Sequence, residues 1–242
     1  MPQKPQAVDF ERPLTTVDLV IFSVREDELT VLLVQRPSHT GEPFPGKWAL
    51  PGGFIDTAHD HDLEACARRK LVEKTGFEAP YLEQLGSFGS VTRDPRGWSA
   101  THVYFALVVS GDVTLRPGGN APDSRWFGVR GEGVRESLAF DHAEILRAAL
   151  ARLRSKVEYT SLPAFLLPGE FTLTQLQKIY EVILGRALEK KAFRTRVLAA
   201  EILEALPRKL SGPNRPAQLY RLKRRRQAHI FSRPFGSADD PG

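Results

Sequence analysis

The sequence predicts an α+β fold in two parts, a sandwiched α/β/α domain followed by a smaller basic domain. Three observations predict it. Up to about residue 157, apolar β-branched runs mix with helical patterns without regular β-α alternation. Beyond that point two helical patterns follow in close succession. The charge also changes sign: the first 150 positions hold 16 basic and 21 acidic residues, whereas Ala151 to Gly242 hold 18 and 8.

Each element has a local reason. Thr16 to Val24 and Leu29 to Gln35 are β-branched runs joined by the charged turn Arg25-Glu26-Asp27-Glu28, the pattern of a hairpin. A loop rich in Pro and Gly, Pro37 to Lys47, follows. Asp62 to Thr75 reads as a helix: Asp62 can cap it, Leu63, Ala67 and Leu71 recur every four residues, and Gly76 stops it. Leu82 to Thr92 and Ala100 to Val109 are strands about a polar tip, and Ser124 to Phe127 is a further short strand. Asp141 to Lys156 is a second helix, with Ile145, Ala148, Ala149 and Leu153 on one face.

In the second part, Thr172 to Leu184 carries a Thr172-Gln175 capping box and a stripe of Leu173, Leu176, Tyr180, Ile183 and Leu184. Gly185 ends that helix, and Glu189 to Leu206 reads as the next one. Arg208 to Leu210 and Gln218 to Leu222 flank a Gly/Pro turn and read as a hairpin. From residue 231 to 242 the chain has little reason to be ordered. The expected division is 1–157, 158–230 and a tail from 231.

Composition narrows the function classes. With 41% hydrophobic and 26% charged residues the chain is of the globular type. No apolar run reaches the roughly 20 residues that span a bilayer, and residues 1–12 carry no signal-peptide pattern, so a cytoplasmic protein is expected. The single cysteine, Cys66, excludes an intrachain disulfide and a cysteine-rich zinc module. His102 and His142 have no partner at metal-ligand spacing and read as structural.

Helix, tight turn, helix and hairpin is the order of a winged helix-turn-helix, whose second helix enters the DNA major groove. Phe193, Val197 and Ile202 can pack inward, which leaves Lys190, Lys191, Arg194 and Arg196 for double-stranded DNA. Arginine reads guanine edges with two hydrogen bonds, while lysines suit phosphates. Arg215 in the hairpin turn is a candidate wing residue. Arg221 and Lys223 to Arg226 could add phosphate contacts, or form a solvated basic segment. One recognition helix covers few base pairs, so a homodimer on a pseudo-palindromic site is expected.

Gly53 to Phe77 resembles the Nudix box, G-x5-E-x7-R-E-U-x-E-E-x-G-U with U apolar. The box aims carboxylates from one helical face at divalent cations that hold a diphosphate and activate water. Gly53, Arg69, Leu71, Glu73, Gly76 and Phe77 match, provided that the loop after Phe54 carries two extra residues. The three failures are all glutamate positions, held by His61, Lys70 and Lys74. No metal site and no catalytic residue are therefore expected. Lys70 and Lys74 could meet phosphate oxygens directly, Lys70 could pair with Glu73, or both lysines could be ordinary exposed residues. The preceding Gly46-Lys47-Trp48-Ala49-Leu50-Pro51-Gly52-Gly53 segment, after a strand ending in Arg36, supports the resemblance.

The tip Arg93-Asp94-Pro95-Arg96-Gly97 looks like the R-D-P-R stretch of Nudix proteins that recognise ADP-ribose, and its arginine forks suit phosphate. The alternative is a solvated tip in which Asp94 pairs with an arginine. Phe88 and Trp98 could stack on an adenine or belong to the core. Cys66 reads as a small packed residue.

Both halves together resemble the NrtR family of Nudix-related regulators, most tellingly from Phe171 to Phe193 and from Arg215 to Tyr220. That resemblance implies a repressor of NAD synthesis or salvage genes with ADP-ribose or a related nucleotide as effector and no cofactor. It places the effector against Arg36, Lys47, Gly52, Gly53, Lys70, Glu73, Lys74, Phe88, Arg93 and Arg96. Two other functions fit parts of the sequence: an active ADP-ribose pyrophosphatase with a basic accessory domain, and a nucleotide-responsive scaffold that binds protein.

Overall fold

A computed structural model describes residues 12–39, 41–111, 123–211, 216–224 and 227–235. Strands β1 (Leu14–Arg25) and β2 (Glu28–Gln35) form an antiparallel hairpin, and its turn places Glu26 and Asp27 at φ 49° and 61°. Two successive left-handed residues match the twist that a two-residue hairpin turn needs. Short strands β3 (Trp48–Ala49) and β4 (Gly52–Phe54) pair with β2 and β1. Helix α1 (Leu63–Thr75) follows, capped as expected: the Asp62 carboxylate accepts from Ala65 N–H, and Gly76 closes the end at φ 67°. β5 (Tyr81–Ser90), β6 (Ser99–Leu107) and β7 (Ser124–Gly128) complete a seven-stranded sheet.

The sheet's centre is the parallel pairing of β1 with β6. Because strand side chains alternate, β1 serves two cores at once. Val17, Leu19 and Ile21 face α1 together with Cys66, Ala67 and Leu71. Val20 and Phe22 face helix α2 (His142–Tyr159) together with Ile145, Leu146, Ala149 and Leu153. This is the expected sandwich.

The second unit does not hang from a linker. α2 runs continuously through position 157, where the sequence suggests a boundary. A 3-10 turn (Leu162–Leu166) and the short strand β8 (Phe171–Thr172) lead into α3 (Leu173–Leu184), whose capping box between Thr172 and Gln175 is formed. α4 (Lys190–Ala199), β9 (Leu203–Leu210) and β10 (Ala217–Leu222) follow, and β8-β10-β9 form a three-stranded sheet. The α2-side core extends without a break through Phe165, Leu176, Tyr180, Phe193 and Val197.

Two expectations need correction. The second helix of the pair stops at Ala199, not Leu206: Glu201 turns the chain at φ 53°, and Leu203 onward pairs with β10. A strand ladder and Pro207, which cannot continue a helix, override the four-residue spacing of Leu198, Ile202 and Leu206. The expected tail is also built in part. Phe231 and Phe235 are 6% and 4% exposed, within an aromatic cluster that includes Tyr180 and Phe193. Phe231 and Phe235 N–H groups donate to the carbonyls of Tyr159 and Glu158, the last turn of α2. Arg215, Arg225 and Arg226 lie outside the described residues.

Candidate functional site

Near β4, the β5–β6 tip and the start of α2 is a cleft of about 400 Å³. Gly52 is required there by space: a Cβ would stand 1.9 Å from Asp18 Oδ1 and 2.7 Å from the Val17 carbonyl. Gly53 has φ +145°, a conformation that side chains resist.

The cleft floor is a buried charge network. Arg93, 6% exposed, donates through Nε and Nη2 to both oxygens of Asp141 at 2.9 and 3.0 Å, and through Nη1 to Ser99 Oγ at 3.3 Å. Asp18 lies 3.6 Å from the same guanidinium and 3.6 Å from His142 Nε2. His142 Nδ1 accepts the Leu50 N–H at 2.9 Å, so the ring proton sits on Nε2, toward Asp18. Burial pushes the Asp18 pKa up, but hydrogen bonds from His142 and Thr101, with the Arg93 charge, bring it below its ordinary value. Asp141 occupies the N-cap position of α2 without capping it, its carboxylate being spent on Arg93.

The rim is cationic and aromatic. Arg96 grips Asp94 with two hydrogen bonds of 3.0 and 2.8 Å and lies 5.5 Å over the Phe54 ring. Arg36 donates to Glu42 at 2.6 Å and lies 5.2 Å over Phe140. Two guanidinium forks and two rings, one of them (Phe54) 48% exposed, suit a ligand with phosphates and a flat heterocycle.

On α1, Arg69 donates to both oxygens of Asp60 at 2.7 Å and to Glu73 at 2.7 Å. Arg69 therefore takes the Glu73 carboxylate that Lys70 could have paired with. Lys70 is 7% exposed, which excludes an ordinary surface lysine, and its Nζ lies 3.1 Å from the place a Gly53 Cβ would take. Burial and the Lys70 charge draw the Lys74 pKa down against the pull of Glu73. His61 is exposed beside Asp62. Two lysines astride one paired carboxylate do not fit a divalent cation. Among the described residues no group of three His, Cys, Asp or Glu is placed to hold a metal ion.

Of the expected effector residues, Arg36, Gly52, Gly53, Glu73, Lys74, Arg93 and Arg96 line the cleft. Lys70 sits just behind Gly53. Phe88, partly buried, packs against the α2-side core instead, and Lys47 is exposed, 5.9 Å from the Phe44 ring and off the cleft wall. Asp18, Phe54, Phe140 and His142 also line it and were not foreseen. The antiparallel β1–β4 pairing and the placement of α2 bring them together, and no local pattern signals that. His142 is structural as read, but it is also cleft wall.

In the second unit α3 and α4 form the helix-turn-helix, with Gly185 at φ 68° ending α3. The Glu189 carboxylate caps α4 on the N–H groups of Lys191 and Ala192, while Phe193 and Val197 are 1% and 0% exposed beneath it. Lys190 and Lys191 are exposed, as expected. The two arginines are not free: Arg194 donates to Thr174 Oγ1 at 3.1 Å, and Arg196 donates to the Pro234 carbonyl at 2.6 Å with its guanidinium 4.8 Å over Phe235.

Comparison with known proteins agrees with this anatomy. Residues 13–149 match the NUDIX domain, and residues 163–222 match the NrtR DNA-binding winged helix domain. An ADPR responsive transcriptional repressor NtrR from Acinetobacter baylyi is 48% identical over 216 residues, 89% of this chain and 84% of the relative. The chain belongs to the NrtR family. Two NrtR structures from Shewanella oneidensis resemble it. One, complexed with a 27mer DNA, superposes with a TM-score of 0.81 at 38% identity, covering 92% of this chain and 99% of that one. The other, a NUDIX domain complexed with ADP ribose, gives 0.53 at 40% identity over 62% and 94%. No helix among the described residues is long and apolar enough to cross a membrane.

Proposed function

We propose that this NrtR-family chain is a transcriptional repressor of NAD synthesis or salvage genes, released from double-stranded DNA by ADP-ribose, whose Nudix domain senses the nucleotide without hydrolysing it. The observation that carries the sensor reading is the face of α1. Lys70 is buried at one metal-ligand position, Lys74 and His61 stand at two others, and Arg69 holds Glu73. Such a face attracts phosphate and repels magnesium. The cleft supplies the rest of a nucleotide site: Arg36 and Arg96 for the diphosphate, Phe54 and Phe140 for flat groups. The repressor reading is supported by the names of the Acinetobacter and Shewanella relatives.

α2 provides a physical link between sensing and binding. Its first turn carries Asp141 and His142 at the cleft, and its last turn accepts hydrogen bonds from Phe231 and Phe235, which pack beneath α4. A ligand that shifts the first turn therefore acts on α4 through one rigid body. The expected assembly is a homodimer presenting one α4 to each half-site.

The test is isothermal titration of ADP-ribose into the full chain, with and without duplex DNA that it binds, in magnesium and in EDTA. The reading requires binding in EDTA and a loss of nucleotide affinity with DNA equal to the loss of DNA affinity with nucleotide. Release of AMP near 1 per second, an ordinary enzymatic turnover, would refute the sensor reading in favour of a hydrolase.

A further inference from the structure

Taking the DNA-binding reading as its premise, the outward face of α4 says what kind of base it reads. Lys191, Thr195 and Leu198 are spaced i, i+4, i+7 and share one face, with Ala192 and Ala199 beside them; all five are exposed. That face lies opposite the buried Phe193 and Val197. Leu198, 46% exposed, is one of few large apolar side chains left to solvent among the described residues.

The residues suited to guanine are engaged elsewhere. Arg194 is held on Thr174, and its Nε is buried. Arg196 is turned away onto Pro234 and Phe235, on the flank facing the segment after the wing. Lys190 and Lys191 are point charges at the start of the helix, suited to phosphate oxygens on either side of a groove. The centre of the face then offers methyl groups, a hydroxyl and no guanidinium.

We propose that α4 reads thymine through the C5-methyl group, with Thr195 and Leu198 as the specificity-determining contacts, and not guanine through arginine. Thymine alone carries a methyl in the major groove, and apolar side chains or the threonine methyl are its matching surface. With its side chains a helix such as α4 is about 10–12 Å across, close to the roughly 12 Å width of that groove, so its outward face can approach base edges.

The experiment uses the full chain. A duplex is enriched from a random library by binding and measured by fluorescence anisotropy at fixed salt, and each thymidine is then replaced in turn by deoxyuridine. This removes the methyl and leaves every hydrogen-bonding group in place. The expected loss is about fourfold at each read thymine, the worth of about 0.8 kcal/mol for one buried methyl-sized group. Leu198→Ala should bind the thymidine duplex more weakly and lose the discrimination at one position, with the deoxyuridine duplex bound as before. Thr195→Ser, which keeps the hydroxyl, should do the same at another.

Indifference to deoxyuridine at every position overturns the inference while leaving the regulator reading intact. So does an enriched site whose guanines control affinity and whose preference relaxes in Arg194→Ala. Failure to enrich any duplex overturns the regulator reading, and this inference with it.

Discussion

Replacing Arg93 by alanine would leave Asp141 and Asp18 facing each other across the cleft floor with no cation between them. The side chain is 4% exposed, makes two short hydrogen bonds to Asp141 and one to Ser99, and stands 3.6 Å from Asp18. Breaking a buried pair of this kind by removing one partner costs about 3–5 kcal/mol, because the abandoned charge stays buried. With a urea slope near the top of the usual range, about 3 kcal/mol per molar, the midpoint should fall by about 1–1.7 M. Arg93→Met combined with Asp141→Leu should recover much of that loss, since an apolar pair of similar volume often does no worse than the ion pair. Arg96→Ala is the matching control on ligand affinity. Its guanidinium is 38% exposed but holds the buried Asp94, so the midpoint should fall less than for Arg93→Ala while ADP-ribose affinity falls by about 1.5–3 kcal/mol in isothermal titration. An Arg93→Ala midpoint within about 0.3 M of the unsubstituted protein would refute the structural role assigned to this residue.

Cys66, fully buried and with its thiol pushed up to about 11 by burial and the neighbouring Asp60, should react with a thiol reagent at neutral pH only after urea unfolds the chain; prompt reaction of the native protein would contradict this. Asp18 and Asp94 are held below 3.8, in each case because hydrogen bonds from His142 or Arg96 outweigh the upward push of burial. The stability that these two carboxylates contribute is therefore fully present above their ordinary pKa and lost as pH falls through the depressed values. Urea midpoints followed from about pH 4 to about 2 should decline, and a flat profile would show that the network does not stabilise the fold. Phe235→Ala should cost about 3–5 kcal/mol in urea unfolding, as for other buried rings, whereas an unchanged midpoint would mean that the aromatic cluster tolerates its loss.

The features legible in the sequence are those whose causes are local. The Asp62 cap, the Thr172-Gln175 box, and Gly76 and Gly185 as helix stops each rest on hydrogen bonds or backbone angles within four residues. Strand alternation in β1 and β2 is equally local. Arg93 and Arg96 show where this fails: three residues apart in one motif, they part company because Asp141 lies 48 residues from Arg93 while Asp94 adjoins Arg96. Phe140 and His142 likewise gain a role only where α2 meets β2 and β3. The extension of α4 to Leu206 failed because pairing with β10, a contact made well along the chain, decides the segment from Leu203 onward. Phe231 and Phe235, four residues apart in a stretch without periodicity, gave no signal at all.

Those two rings bear on how the protein is made. Residues 231–235 follow α3, α4 and the wing in the chain, yet they close the core beneath α4 and tie it to the end of α2. During synthesis the recognition helix leaves the ribosome before the side chains that seal its underside. The sheet of the first unit, with α1 and α2, is already available and can fold as a body of its own. A translation product halted just beyond the wing would possess a nucleotide cleft but an open, aromatic gap under α4, exposing Tyr180 and Phe193 to aggregation or to chaperones. The order of residues along the chain thus delays closure of the core beneath α4 until residues 231–235 have been made.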